Sequence, residues 1–164
     1  MLNDYKICIP ARLESTRLQK KLLREVNGKT IIQRTWERCL ETSADSVTVI
    51  TDSTEIFDLI SELGGDCFLS QSVHESGTDR LAEYTKYQNL AEDLILINVQ
   101  GDEPLIDINS VNKLADFAHS NKSNYATICK PFESSEHEAD VNKVKVLIDS
   151  KNMAVAFFEK QGAI

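Results

Sequence analysis

The sequence predicts an α/β fold: a mainly parallel sheet with helices on both faces and a hairpin toward the C-terminal end. Three features carry that prediction. Short apolar runs bounded by polar residues have the length of buried strands. Stripes of apolar residues at helical spacing separate them, and the connections between the two are short, as in parallel sheets covered by crossover helices. With 164 residues, 41% hydrophobic and 27% charged, the chain suffices for one well-buried domain and is too short for two, so 1–164 reads as a single domain.

The strand runs are Ile7 to Ile9, Val47 to Ile50, Cys67 to Leu69, Leu94 to Val99 and Ala126 to Cys129. A first helix follows from the stripe Ile31, Ile32, Thr35, Trp36, Cys39 and Leu40, with Thr30 and Gln33 as a capping box at its start. Asp52 and Glu55 repeat that signal before Ile56, Phe57, Ile60 and Leu63, and Gly64-Gly65 supplies a left-handed stop. Further helices are expected from about Thr78 to Gln88 and from about Asn109 to Ser120. Near the end Val144, Val146 and Ile148 alternate, Ser150-Lys151-Asn152 turns, and Met153 to Phe158 returns, a hairpin added to the sheet.

A net charge of -8 and a pI near 4.9 repel nucleic acid and anionic membranes, so a polyanionic ligand requires a local reversal of charge. Cys8, Cys39, Cys67 and Cys129 are widely spaced in apolar stretches and read as free buried thiols of a reducing compartment. The N-terminal residues lack a signal-peptide core, and no apolar run approaches bilayer length, which places the protein in the cytoplasm with no membrane partner.

The local reversal lies just after the first strand, where Arg12, Arg17, Lys20 and Lys21 face the single acid Glu14. In open α/β sheets ligands bind beyond the carboxyl ends of strands, and Ser15 and Thr16 add hydroxyl donors for phosphate oxygens. Two readings stand here, a phosphate-binding loop and a solvated surface loop. The run ending at Val99 delivers Gln100-Gly101-Asp102-Glu103-Pro104 to the same sheet edge. A carboxylate that meets a nucleoside triphosphate is how proteins hold Mg2+, making Asp102 the candidate ligand; its other reading is a turn or a helix cap, a role also open to Asp107 or Asn109. The segment His74 to Arg80 is a polar loop before a capped helix, and His74, His119 and His137 show no metal-ligand spacing. Gly-rich fingerprints of dinucleotide oxidoreductases and P-loop proteins are missing.

Together, Pro10-Ala11-Arg12, Ser15-Thr16-Arg17-Leu18 with Lys21, Asn27-Gly28-Lys29, Ser76-Gly77-Thr78-Asp79-Arg80 and Val99-Gln100-Gly101-Asp102-Glu103-Pro104 resemble the signature of the 3-deoxy-manno-octulosonate cytidylyltransferase (CMP-Kdo synthetase) family, in order and spacing, from residue 5 to about 155. The resemblance implies a Rossmann-like nucleotidyltransferase sheet, CTP as donor, an acid sugar (Kdo) as acceptor, Mg2+ dependence, and a cytoplasmic homodimer serving lipopolysaccharide synthesis. It also implies that Arg12, Arg17 and Lys21 grip the triphosphate and that Pro10, Ala11, Ser15 and Arg80 help hold the nucleotide. By the same resemblance Gln100 lies between nucleotide and sugar, and Asp102 binds the metal.

Departures from the family pattern are specific. The family's Pro-Gly-Lys-Pro is Gln19-Lys20-Lys21-Leu22 here, and the position of an arginine that meets the sugar carboxylate holds Glu159. Family members also continue further, so the chain is expected to correspond to the N-terminal part of a longer fold. Rival readings are a cytidylyltransferase for another acid sugar, of sialic or pseudaminic type, and a nucleotide-binding module without turnover.

Overall fold

Along the chain the elements run β1 (Tyr5–Ala11), a 3-10 turn (Lys21–Leu23), β2 (Glu25–Val26), β3 (Lys29–Thr30), α1 (Ile31–Cys39), β4 (Ser46–Thr51), α2 (Thr54–Glu62), β5 (Asp66–Leu69), α3 (Gly77–Tyr87), β6 (Ile95–Asn98), α4 (Ile108–Asn121), β7 (Lys145–Ile148) and β8 (Ala154–Phe158). This computed structural model describes residues 5–13, 18–72, 74, 76–133, 140 and 143–158. The chain divides into two units, 1–126 and 127–164.

In the first unit four strands form one parallel sheet in the order β5-β4-β1-β6. Register sets Ile7 of β1 between Val47 and Ile97, so side chains at alternate positions leave on opposite faces. On one face Ile7, Ile9, Val47 and Val49 pack with Ile32 and Trp36 of α1, Ile56 and Ile60 of α2, and Val111 and Ala115 of α4. On the other, Cys8 and Ile50 pack with Tyr84 of α3, whose ring meets Phe68 edge-on at 5.5 Å. Helices thus cover both faces, as the sequence predicts. The central strand is apolar throughout its buried length because both of its faces are dry.

Helix ends refine the sequence reading. The Thr30 hydroxyl accepts from the Gln33 amide and starts α1, but the Gln33 side chain turns to Glu37 at 3.0 Å instead of completing a capping box. Ser53, not Asp52, caps α2, by accepting from the Ile56 amide. Gly64 closes that helix at φ +77°, and Gly65 is needed for packing, since a Cβ there would lie 2.7 Å from the Trp36 ring. Asp107 caps α4, which relieves both Asn109 and Asp102 of that role. Asn27-Gly28, at φ 49° and 73°, forms the two-residue turn of the β2–β3 hairpin, an element the sequence reading did not anticipate.

Three expectations need correction. Residues 126–129 form no strand; they are exposed and have no ladder partner among the described residues. An apolar run becomes a strand only where a neighbour takes its backbone groups. The hairpin is present, but β7 and β8 make a two-stranded sheet of their own in the second unit, closed by Asp149 accepting from the Lys151 and Met153 amides. Finally, all four cysteines are free, and burial pushes the Cys8, Cys39 and Cys67 thiols up to about 12, but Cys129 is exposed. Among the described residues no helix is long and apolar enough to cross a membrane.

Candidate active site

Parallel strands end on one edge, so the segments after β1, β4 and β6 emerge side by side. Their meeting point is Pro10, buried at the end of β1. A Cβ on Gly101, after β6, would stand 3.2 Å from the Pro10 carbonyl oxygen and equally close to Ile32. A Cβ on Gly77, in the first turn of α3, would stand 3.2 Å from the Pro10 ring. Two glycines, far apart in sequence, thus let the Ser76–Arg80 and Gln100–Pro104 segments close on the start of the cationic loop. This is the physical reason for glycine in both motifs.

The turn after β6 is held rigidly. The Val99 amide continues the ladder to the Cys8 carbonyl at 3.1 Å, and the Glu103 amide reaches back to the Gln100 carbonyl at 3.1 Å. Within it the Gly101 carbonyl accepts from the buried Thr35 hydroxyl at 2.9 Å. Asp102 is therefore fixed in backbone, with a half-exposed side chain, and its Oδ2 accepts from Lys21 Nζ at 2.5 Å. The candidate metal ligand and the candidate phosphate lysine are ion-paired to each other. Gln100 is exposed beside them, its Nε2 3.5 Å from Asn98 Oδ1.

Lys20 and Lys21 point to different partners. Lys20 is in the left-handed region, φ 50°, where a glycine costs nothing and a lysine is strained. Its ammonium binds both carboxylate oxygens of Glu55 in α2, at 2.6 and 2.8 Å. Lys21 begins the 3-10 turn, whose Leu22 is buried against the core. Of the two lysines, Lys21 is the one turned to the Asp102 turn, and Lys20 is turned to α2.

Arg80 is placed differently from the other candidates. Its side chain is only 3% exposed, and Nη2 donates to Asp52 Oδ2 at 2.5 Å. Its Nε is buried and has no hydrogen-bond partner among the described residues. Asp52, at the end of β4, is 39% exposed. The arginine thus acts on the site edge through an aspartate that the sequence reading took for a helix cap.

A second polar cluster supports the segment leading into α3. Glu83 accepts from the Ser70 hydroxyl, from the Gln71 amide at 3.3 Å, and meets His74 Nε2 at 2.7 Å. Those hydrogen bonds, Ser70 first and His74 next, hold its carboxyl down to about 2. His74 is half-buried, His119 is exposed, and His137 lies outside the described residues. Ser76 caps α3 by accepting from the Asp79 amide at 3.1 Å.

Of the sequence-derived site residues, Pro10, Ala11, Arg12, Lys21, Gln100 and Asp102 therefore share one edge, with Arg12 exposed and Ala11 buried. Ser15 and Arg17 lie outside the described residues, as does Glu159. Asp52, Glu83 and the Lys20–Glu55 tether were missed. Only a three-dimensional pairing gives them a role. Among the described residues no group of three or more His, Cys, Asp or Glu side chains is placed to hold a metal.

Comparison with known proteins identifies the family. A family model described as cytidylyltransferase matches residues 7–162. The 3-deoxy-manno-octulosonate cytidylyltransferase of Saccharophagus degradans is 41% identical over 155 residues, covering 94% of this chain and 61% of that protein. The enzyme of that name from Pectobacterium carotovorum is 39% identical over 153 residues, covering 93% and 61%. The chain thus spans about three-fifths of the length of the curated relatives it matches. Among solved structures, CMP:2-keto-3-deoxy-manno-octonic acid synthetase complexed with CTP superimposes with a TM-score of 0.81 at 32% identity, covering 95% of this chain and 64% of that one. A cytidylyltransferase from Leptospira borgpetersenii shares the fold, with a TM-score of 0.63 at 24% identity over 73% of this chain and 50% of that one.

Proposed function

The chain belongs to the cytidylyltransferase family, and we propose that it transfers the cytidine monophosphate part of CTP to the anomeric hydroxyl of a 2-keto-3-deoxy sugar acid, Kdo, and releases pyrophosphate. One observation carries this reading: the cationic segment, the Ser76–Arg80 segment and the Asp102 turn converge on Pro10. Relatives named 3-deoxy-manno-octulosonate cytidylyltransferase favour Kdo as the acceptor. A cytoplasmic homodimer that feeds lipopolysaccharide synthesis belongs to the same proposal.

The reaction is an in-line substitution. The anomeric oxygen forms a bond to the α-phosphorus, the bond from that phosphorus to the α,β-bridging oxygen breaks, and pyrophosphate leaves as the hydroxyl proton passes to solvent. Negative charge grows on the leaving group and on the equatorial oxygens, so fixed cations placed there stabilise the transition state more than the ground state. Arg12, Arg17 and Lys21 are those cations. Lys21 exchanges its Asp102 partner for triphosphate oxygens, and Gln100 orients the two substrates. No covalent nucleophile is required.

Magnesium fits the donor set. Mg2+ keeps much of its water and takes one or two carboxylates plus phosphate oxygens, and Asp102 offers one half-exposed carboxylate on a turn fixed by Thr35. When bound, the ion supplies neutralisation of the phosphate charge. The test is incubation with CTP, Mg2+ and Kdo while pyrophosphate is assayed. Pyrophosphate and CMP-Kdo in equal amounts support the reading; CTP binding without turnover reduces the chain to a nucleotide-binding module, and failure to bind CTP overturns it.

A further inference from the structure

We propose that Asp52 is a specificity residue of the nucleoside subsite: its carboxylate, fixed by the buried Arg80, accepts a hydrogen bond from the nucleoside, either from the exocyclic amine of the base or from a ribose hydroxyl. The inference rests on the cytidylyltransferase reading and adds to it a residue and a direction of hydrogen bonding.

Topology places Asp52 there. β1 has β4 on one side and β6 on the other. On the cytidylyltransferase reading Arg12, Lys21 and the Asp102 turn draw the triphosphate to the ends of β1 and β6, and Asp52 stands on the other side of β1, at the edge over β4. That edge is bounded by the first turn of α3, whose Gly77 packs on Pro10. Asp52 is the residue following β4, and Thr51 pairs with Ala11 across the ladder.

Energetics then explain its orientation. Asp52 does not cap its own helix, because Ser53 does. A guanidinium that is 97% buried is costly unless paired, and Arg80 has spent its Nη2 on Asp52 Oδ2 at 2.5 Å while the rest of the Asp52 side chain stays 39% exposed. An arginine committed in this way holds the carboxylate in one rotamer and leaves further acceptor capacity at the strand end. Arg80 is a positioning residue; Asp52 is the group that touches the ligand.

A carboxylate offers acceptors only, so it selects donors. Cytosine carries an amine where uracil carries a carbonyl oxygen, and acidic side chains read that amine directly. Ribose hydroxyls are the other available donors, and an acidic residue binds them in dinucleotide folds of related topology.

Asp52→Asn separates the cases. Its amide oxygen still accepts from Arg80, and its NH2 presents a donor where an acceptor stood. Affinities for CTP, UTP and 2′-deoxy-CTP, each with Mg2+, are measured by calorimetry on the wild-type chain and the variant. A fall of about tenfold or more in the CTP-over-UTP preference supports the proposal through the base amine, and the same fall in CTP over 2′-deoxy-CTP supports it through the ribose. If the Asn variant melts before it can be titrated, Asp52→Glu, which keeps the charge for Arg80 and displaces the acceptor, is read on the same two ratios. Unchanged ratios overturn the proposal even where overall affinity falls, since a merely structural residue weakens all three nucleotides alike. A wild-type chain that binds no CTP overturns the cytidylyltransferase reading and this inference together; one that binds CTP with ratios insensitive to Asp52 overturns this inference alone.

Discussion

Lys21 Nζ lies 2.5 Å from Asp102 Oδ2, joining the cationic loop after β1 to the turn after β6. Both side chains are about 40% exposed, so the pair adds little to stability, within about 1 kcal/mol. What it fixes is the position of two opposite charges, which on the proposed function a magnesium-bearing triphosphate would separate. Asp102→Asn is expected to abolish most Mg2+-dependent CTP binding while the melting temperature stays within a few degrees of wild type. Titration of CTP with and without Mg2+ checks this; an unchanged magnesium requirement removes Asp102 as the ligand.

Lys20 gives a prediction of opposite sign. Its left-handed backbone, φ 50°, costs a non-glycine residue about 1 kcal/mol or more, and its exposed pair with Glu55 returns at most a fraction of that. Lys20→Gly should therefore leave the chain as stable or up to about 1 kcal/mol more stable, with CTP affinity nearly unchanged. Lys21→Met should weaken CTP binding clearly. Denaturant titration and calorimetry on both variants read the contrast; equal losses of affinity would mean that the two lysines share the phosphate role.

Gly101→Ala tests the convergence at Pro10. Its Cβ would stand 3.2 Å from both the Pro10 carbonyl oxygen and Ile32, and 3.3 Å from Leu22. The backbone oxygen cannot yield as a side chain does, so a destabilisation of about 1–3 kcal/mol is expected, together with a displaced Asp102 and weaker magnesium-dependent CTP binding. Full stability and full affinity in this variant would contradict close packing of the three segments.

Glu83 makes stability depend on acidity. Its carboxyl is lowered from 4.5 to about 2 in the folded chain, first by Ser70 and then by His74. A depressed folded value contributes stability in full above the unfolded value and loses it as pH falls from about 4.5 toward about 2. Glu83→Gln should melt lower than wild type at pH 7, by an amount corresponding to about 1–3 kcal/mol, and the gap should close across that acidic window. A gap independent of pH would mean that the charge of Glu83 is irrelevant to the loop it holds.

Most of the main sheet was legible because periodicity and burial agree there: Ile7 to Ala11 of β1 and Val47 to Ile50 of β4 are buried, and each helix carries a stripe with a capping hydroxyl or carboxylate. Two of the misses share a cause, the dependence of a residue on a partner distant in sequence. The run 126–129 has strand composition but no ladder neighbour among the described residues. Asp52 looks like a cap from its local context, yet its partner is Arg80. Asn27-Gly28 carries the local signal for a hairpin, but strands of only two residues on either side leave no apolar run to mark it. In the site, the residue types were legible from strand-end charge, but the split between Lys20 and Lys21 depends on one backbone dihedral that composition does not encode.

Isothermal titration of the purified chain with CTP and with ATP, in the presence and absence of Mg2+, bears on whether the three segments around Pro10 form a cytidine nucleotide site. CTP should bind with Mg2+, several-fold or more tightly than ATP, and should lose most of that affinity when Mg2+ is withheld. Equal affinity for the two nucleotides, or CTP binding indifferent to Mg2+, would contradict it.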